Sequence, residues 1–213
     1  MPLLCERLAM PTHGEQQRLR EIYENSFPAA ERKPFEQIAD GIARGAYTCM
    51  VARAHDEPNG IAAFAFTLPL PDTMAAFLEY MAVRVERHGQ GIGSALFDAV
   101  IRESARHRPA SQIVWEVEPP DSADPLNHSN RRLRFYERLG GRLVTLSTAY
   151  RMPDYERRTD GVPLRLMLVP MEAQPDKKTA SALIKSIYDA AYSEHIALRD
   201  RILRDLTLLP DAL

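Results

Sequence analysis

Three of the ten glycines in this 213-residue chain fall within five positions, at Gly89, Gly91 and Gly93, between a β-rich run and a helical one. That spacing leaves the backbone two uses for them: a turn closed to other residues, or an approach too close for a side chain to intervene. The run before the cluster, 75–85, reads as a strand. After it Ala95, Leu96, Ala99, Val100 and Ile101 mark the buried side of a helix that reaches about residue 106. A strand, a glycine turn and a helix together present backbone N–H groups to an anion, and a Cβ at Gly91 or Gly93 would hold the anion off. The helix N-terminus adds about half a positive charge without any Lys. The same turn, taken alone, also fits a bare strand-to-helix connection.

Around this centre the chain alternates elements. Residues 3–9 read as a short strand, 13–26 as a helix with Leu19, Ile22 and Tyr23 inward, and the stretch after Pro34 as a second helix with Phe35, Ile38 and Ile42 on one face. Runs at 46–54 and 61–69 form a hairpin across His55–Gly60, where Pro58, Asn59 and Gly60 favour a turn. A strand is expected at 111–118, a short helix at 129–139 closed by Gly140 and Gly141, and two further β-rich runs at 142–150 and 163–170. The order implies a mixed α/β layer fold, a central sheet of about seven strands flanked by helices. Residues 177–209 lack Pro and Gly and carry an apolar stripe, Ala180, Ile184, Ile187, Ala191, Leu198 and Ile202, interrupted near Glu194 and His195. This is a C-terminal helical extension, one long helix or two shorter ones, that covers part of the sheet or a partner subunit in a homodimer. Two parts are expected, a domain over 1–172 and the extension over 173–213.

Composition narrows the partners. The chain is 45% hydrophobic and 26% charged with a net charge of -2, so it folds, and its 27 basic residues are offset by 29 acidic ones. No nucleic acid or membrane partner is expected. Cys5 and Cys49 are too few for a disulfide framework, and the six His are scattered without metal-ligand spacing, so no metal is expected. The first ten residues carry Glu6 and Arg7 where a signal peptide would be apolar, and no later stretch is apolar enough to span a bilayer. A cytoplasmic location follows.

Three phosphate-binding patterns compete for Arg87-His-Gly-Gln-Gly-Ile-Gly-Ser94. The P-loop pattern fails because no Lys occurs from 34 to 176. The dinucleotide fingerprint fails because its last position is Ser94 counted from Gly89 and Leu96 counted from Gly91. The segment His88-Gly-Gln-Gly91-Ile-Gly93, preceded by Leu78-Glu-Tyr-Met-Ala-Val83, instead resembles the acetyl-CoA loop of the GNAT superfamily of N-acetyltransferases, with His88 where the family usually has Arg or Gln. A second stretch, Asn130-Arg-Arg-Leu-Arg-Phe-Tyr136-Glu-Arg-Leu-Gly140, resembles the family's other cofactor-side helix, with Gly141 in place of the usual Phe.

The resemblance covers about residues 3–170 and implies acetyl-CoA as co-substrate and an amine acceptor. It implies a sheet splayed between the strands at 75–85 and 111–118, with Met81, Ala82, Val83, His88, Gly89, Gln90, Gly91, Ile92, Gly93, Ser94 and Asn130 on the cofactor. Asn130 is equally a helix-cap candidate. Direct attack needs a proton donor for the leaving thiolate, a role that the resemblance gives to Tyr136, and a base for the arriving ammonium. Carboxylates on central strands are costly unless solvated or paired, which singles out Glu79 and Glu116; Glu79 is preferred, and either can pair with an Arg instead. Glu118 is a candidate substrate contact. Tyr23, Phe27 and Glu31 occupy the place of the family's acceptor wall, where core packing explains them equally well. A CoA-binding regulatory module without turnover is the alternative function.

Overall fold

A computed structural model describes residues 4–54, 60–70, 72–107, 112–121, 123–124, 127–156 and 161–210. The chain forms two compact units, Met1–Pro69 with Leu78–Pro109, and Leu70–Phe77 with Ala110–Leu213.

The first unit opens with β1 (Leu4–Arg7) and α1 (His13–Ser26). Thr12 and Glu15 form a capping box, each side chain bonding the other's backbone N–H, which starts α1 where the sequence predicts. A 3₁₀ turn at Ala29–Glu31 leads to α2 (Phe35–Ala43), followed by β2 (Thr48–Arg53) and β3 (Ile61–Leu70). β1 pairs antiparallel with β2, and β2 antiparallel with β3 from Thr48↔Thr67 to Arg53↔Ile61, so the expected hairpin is present. Its turn, at 55–59, lies outside the described residues. β4 (Ala75–Val83) shares its first three residues with the second unit, and α3 (Ile92–His107) follows the glycine cluster. Tyr23 anchors this core among Phe27, Phe35, Phe64, Phe66 and Tyr80, with ring centroids 4.9–6.5 Å away.

The second unit holds β5 (Gln112–Val117), α4 (His128–Arg138), β6 (Arg142–Leu143), the two-stranded pair β7 (Arg151–Met152) and β8 (Val162–Pro163), and β9 (Arg165–Val169). The extension supplies α5 (Lys177–Ala191) and α6 (Ile196–Leu208), two helices broken near Glu194 and His195 as the stripe suggests. Their apolar residues, among them Ala180, Ile184, Ile187 and Ile202, are buried within the chain's own second unit. The expected boundary at 172/173 falls inside this unit. The main sheet is seven-stranded in the order β1-β2-β3-β4-β5-β9-β6, flanked by helices.

One stretch departs from the expectation. Residues 142–150 read as a strand, yet only Arg142–Leu143 pair with β9, and Thr145–Ala149 form a 3₁₀ turn. The buried Ser147 hydroxyl accepts from Leu166 N–H at 3.0 Å and donates to the Val144 carbonyl at 2.6 Å. A side chain thus takes the ladder donor that a continued β6 would have used, and the chain turns away.

Candidate active site

The glycine turn is built as its sequence requires. Gly89 and Gly91 both sit at φ +76°, in the left-handed region, and a Cβ on either would meet nothing within 4 Å. The need for glycine there is conformational, and the space beside the turn is open to a ligand. Gly91 delivers the chain into α3 at Ile92, whose first-turn N–H groups have no carbonyl one turn earlier to bond. Gly93 and Ser94 lie in that first turn. These donors fit a pyrophosphate. His88 is exposed but folds back: its Nε2 lies 2.8 Å from the Val83 carbonyl, which can only accept, so Nε2 carries the hydrogen. The carbonyl of Val83, one of the residues expected on the cofactor, is therefore engaged by a side chain of the loop itself. Gln90 also bonds back, to Glu86 O at 3.4 Å.

Within β4 the alternation holds. Tyr80 and Ala82 are buried, and Met81 and Val83 are half-buried on the opposite face with Glu79. The Glu79 side chain is 1% exposed and meets the Lys33 ammonium at 2.6 Å. The Tyr47 hydroxyl donates to the same carboxylate and itself receives from Lys33 Nζ at 3.1 Å. Two further phenols pin the Lys33 segment: Tyr23 donates to Lys33 O at 3.0 Å, and Tyr80 donates to Glu31 O at 3.2 Å. Tyr23 is wholly buried, which corrects its expectation as a surface of the acceptor wall; it supports that segment from behind. Phe27 and Glu31 remain half-buried. Nothing in the sequence linked Lys33 or Tyr47 to Glu79, although Lys33 is the last Lys before 177.

In the second unit Tyr136 projects from α4 onto Trp115 of β5, ring centroids 4.9 Å apart. Burial pushes its phenol up to about 12, against Arg132, which lowers it, and with Glu118, which raises it. It is neutral at any physiological pH. Gly141 explains the contact: a Cβ there would lie 2.7 Å from Trp115 Cζ2 and 3.0 Å from the Tyr136 carbonyl. Asn130 bonds the loop that precedes α4. Asn127 is the cap of α4, and the Asn130 amide donates to Asp121 O and Asp124 O at 2.6 and 2.8 Å while its oxygen accepts from Asp121 N–H. Both of its N–H groups brace the loop ahead of the helix. Glu118 accepts from Arg132 Nη1 at 2.8 Å, and its other oxygen is buried and makes no hydrogen bond among the described residues. Glu116 draws two phenols that the sequence did not signal, Tyr150 at 2.5 Å and Tyr192 at 2.9 Å. Among the described residues no group of three or more His, Cys, Asp or Glu could hold a metal ion, and no helix is long and apolar enough to cross a membrane.

Two consequences can be measured. Lys33→Met leaves a buried carboxylate without its ammonium and is expected to cost about 3 kcal/mol in urea unfolding, whereas Lys33→Met with Glu79→Leu should regain most of it. An unchanged single variant would mean that the pair is solvated. Burial also raises Tyr136 and Cys49 to about 12, from the 10.0 and 9.0 of unperturbed groups, and raises Tyr23 and Tyr188. Groups raised in the folded state lose protons first in the unfolded chain, so their stabilisation is complete below the unperturbed values and is lost toward pH 12. Each contributes a slope of about 1.4 kcal/mol per pH unit in that window. Calorimetric melting should show Tm falling steeply above pH 10; a Tm unchanged up to pH 11 would contradict the burial of these hydroxyls.

Comparison with known proteins follows the same lines. The family described as acetyltransferase (GNAT) family matches residues 16–140, over half of the chain. Among solved structures, a GNAT-family protein from Bacteroides thetaiotaomicron superposes with a TM-score of 0.67 at 20% identity, covering 89% of this chain and 98% of that one. The ribosomal-protein-S18-alanine N-acetyltransferase of Escherichia coli gives 0.55 at 21%, covering 82% and 97%. Arabidopsis thaliana NAA60, in complex with acetyl-CoA, gives 0.56 at 16%, covering 78% and 96%. At these identities the likeness is one of fold. No curated protein is similar enough to count as a relative. With the glycine turn opening α3 and the matched segment running through both motifs, the chain belongs to the GNAT family of acetyltransferases.

Proposed function

We propose that this protein transfers the acetyl group of acetyl-CoA to a primary amine, of a small molecule or of a protein, by direct attack. The observation that carries the reading is the turn at Gly89–Ser94, where two left-handed glycines bring the N-terminus of α3 to the end of β4 with open space beside them. Gly89, Gln90, Gly91, Ile92, Gly93 and Ser94 would hold the pyrophosphate through backbone N–H groups, and the backbone of Met81, Ala82 and Val83 the pantetheine arm. The Val83 carbonyl has a second lone pair, so it could accept from a pantetheine amide while His88 holds it. Acetyl-CoA supplies an activated acetyl group and a thiolate leaving group.

The chain's own residues manage protons. An acceptor ammonium gives up two over the whole transfer, one before attack and one that ends on the thiolate while the C–S bond breaks and the C–N bond forms. Tyr136 is the donor assigned to the thiolate. A phenol near 12 facing a thiol near 8.5 would transfer its proton uphill by about 5 kcal/mol, so its contribution is a hydrogen bond to the developing charge and the proton is completed from solvent. Glu79, already tied to Lys33 and Tyr47, acts as a fixed charge behind the Lys33 segment. That leaves Glu116 to meet the ammonium, with Glu118 beside Arg132 as a further acceptor contact. A cytoplasmic setting suits the two unpaired cysteines, one buried and one half-buried.

A second reading, a CoA-responsive module without turnover, is favoured by the His88 clasp on Val83. Titration calorimetry with acetyl-CoA and a thiol-release assay over spermidine, kanamycin and a hexapeptide with a free N-terminus separate the two. Binding without release selects the module; no binding at high micromolar acetyl-CoA overturns both. In an active enzyme Tyr136→Phe should lower kcat about 10- to 100-fold, with the KM for acetyl-CoA little changed. An unchanged kcat would remove Tyr136 from the mechanism.

A further inference from the structure

The half-buried Glu116 carboxylate sits on β5, and two of its hydrogen-bond donors come from elements outside the matched family segment. Tyr150, at the end of the 3₁₀ turn after β6, donates to Oε1 at 2.5 Å. Tyr192, at the C-terminal end of α5, spans both carboxylate oxygens at 2.9 and 3.2 Å. The family match stops at residue 140, so both phenols lie outside the matched segment. The Tyr192 ring is itself wedged, edge-on, between Tyr188 at 5.3 Å and Phe77 at 6.2 Å, while the Tyr188 hydroxyl is turned away to Arg151 O. The two ends of one helical turn therefore meet different strands, β7 through Tyr188 and β5 through Tyr192. Tyr188 ties the helix to the backbone, and Tyr192 ties it to a charge.

Packing alone does not call for this arrangement. An apolar residue at position 116 would let α5 cover the sheet without desolvating a carboxylate, and such replacements of buried charge are often neutral or stabilising. What the two phenols add is orientation and charge. Donors on both oxygens fix the carboxylate plane and favour its ionised form, and burial keeps the neighbouring hydroxyls protonated, as the raised Tyr188 phenol illustrates.

We propose that Tyr192, with Tyr150, is a positioning residue for Glu116, so that the C-terminal extension sets the carboxylate that receives the ammonium of the acceptor amine. This rests on the acetyl-transfer reading above. The extension is thus part of the acceptor machinery, and acceptors that present a full positive charge are the ones it favours. Tyr192→Phe keeps the wedged ring and removes only the hydroxyl. With whichever of spermidine, kanamycin and the hexapeptide the wild type acetylates best, Tyr192→Phe is expected to lower kcat/KM for the amine about tenfold or more. It should also move the acidic limb of the pH profile, and leave the KM for acetyl-CoA within about twofold. Glu116→Gln should lose at least as much, and the Glu116→Gln/Tyr192→Phe pair no more than Glu116→Gln alone, because the phenol acts only through the carboxylate. Tyr188→Phe, which removes a hydroxyl that does not touch Glu116, should lower Tm without altering the acceptor KM. If Tyr192→Phe loses only thermal stability while acceptor kinetics and pH profile stay those of the wild type, Tyr192 is a strut and the proposal falls, the acetyl-transfer reading standing. If the wild type neither binds acetyl-CoA nor releases thiol, that reading falls first and takes this proposal with it.

Discussion

A carboxylate on a central strand must be given partners, because an ionised group taken out of water without them costs several kcal/mol. Three occur on β4 and β5 or just beyond, and much of the chain's irregular structure exists where it meets them. Glu79 is met by Lys33 from the segment between α1 and α2 and by Tyr47 from the segment before β2. Glu118 is met by Arg132 from α4. Glu116 is met by Tyr150 and Tyr192 from the last third of the chain. The three solutions differ in kind. An ammonium meets Glu79, a guanidinium pairs one oxygen of Glu118, and two phenols hold the Glu116 carboxylate in orientation.

The anion-binding side follows the opposite logic. In the proposed anion cradle the backbone N–H groups at the start of α3 supply positive potential, and glycine is needed for the two φ values of +76°. A backbone cradle adds no charge to the sequence. That is why a net charge of -2 is compatible with a strongly anionic ligand, and why composition could neither suggest nor exclude it.

What could be read in the sequence was local. The capping box at Thr12 and Glu15, the antiparallel pairing of 48–53 with 61–67, the strand-turn-helix around Gly91 and the break in the C-terminal stripe near His195 each depend on residues close in sequence. The partners of the carboxylates do not. Lys33 and Glu79 are far apart along the chain, as are Glu116 and Tyr192, and no spacing rule couples them. The run 142–150 failed for the same reason: its β-propensity was overridden by one hydroxyl, Ser147, that reaches Leu166 on another strand. Asn130 was legible as a cap-or-cofactor choice; Asn127 takes the cap, and Asn130 braces the loop ahead of the helix, a tertiary role that no local spacing signals.

Gly141 stands where the resemblance leads one to expect Phe, next to the helix that carries Tyr136. A Cβ at 141 would fall 2.7 Å from the Trp115 indole, so a side chain at 141 and the indole compete for one volume. Trp115 lies 4.9 Å from the Tyr136 ring and is itself only 1% exposed. An indole held by a strand is at least as rigid a backing for the phenol as a side chain on a helix-terminal loop. A chain that had discarded turnover would have had no reason to keep Tyr136 so closely backed, so the departure at 141 weighs for acetyl transfer and against a module that merely senses CoA.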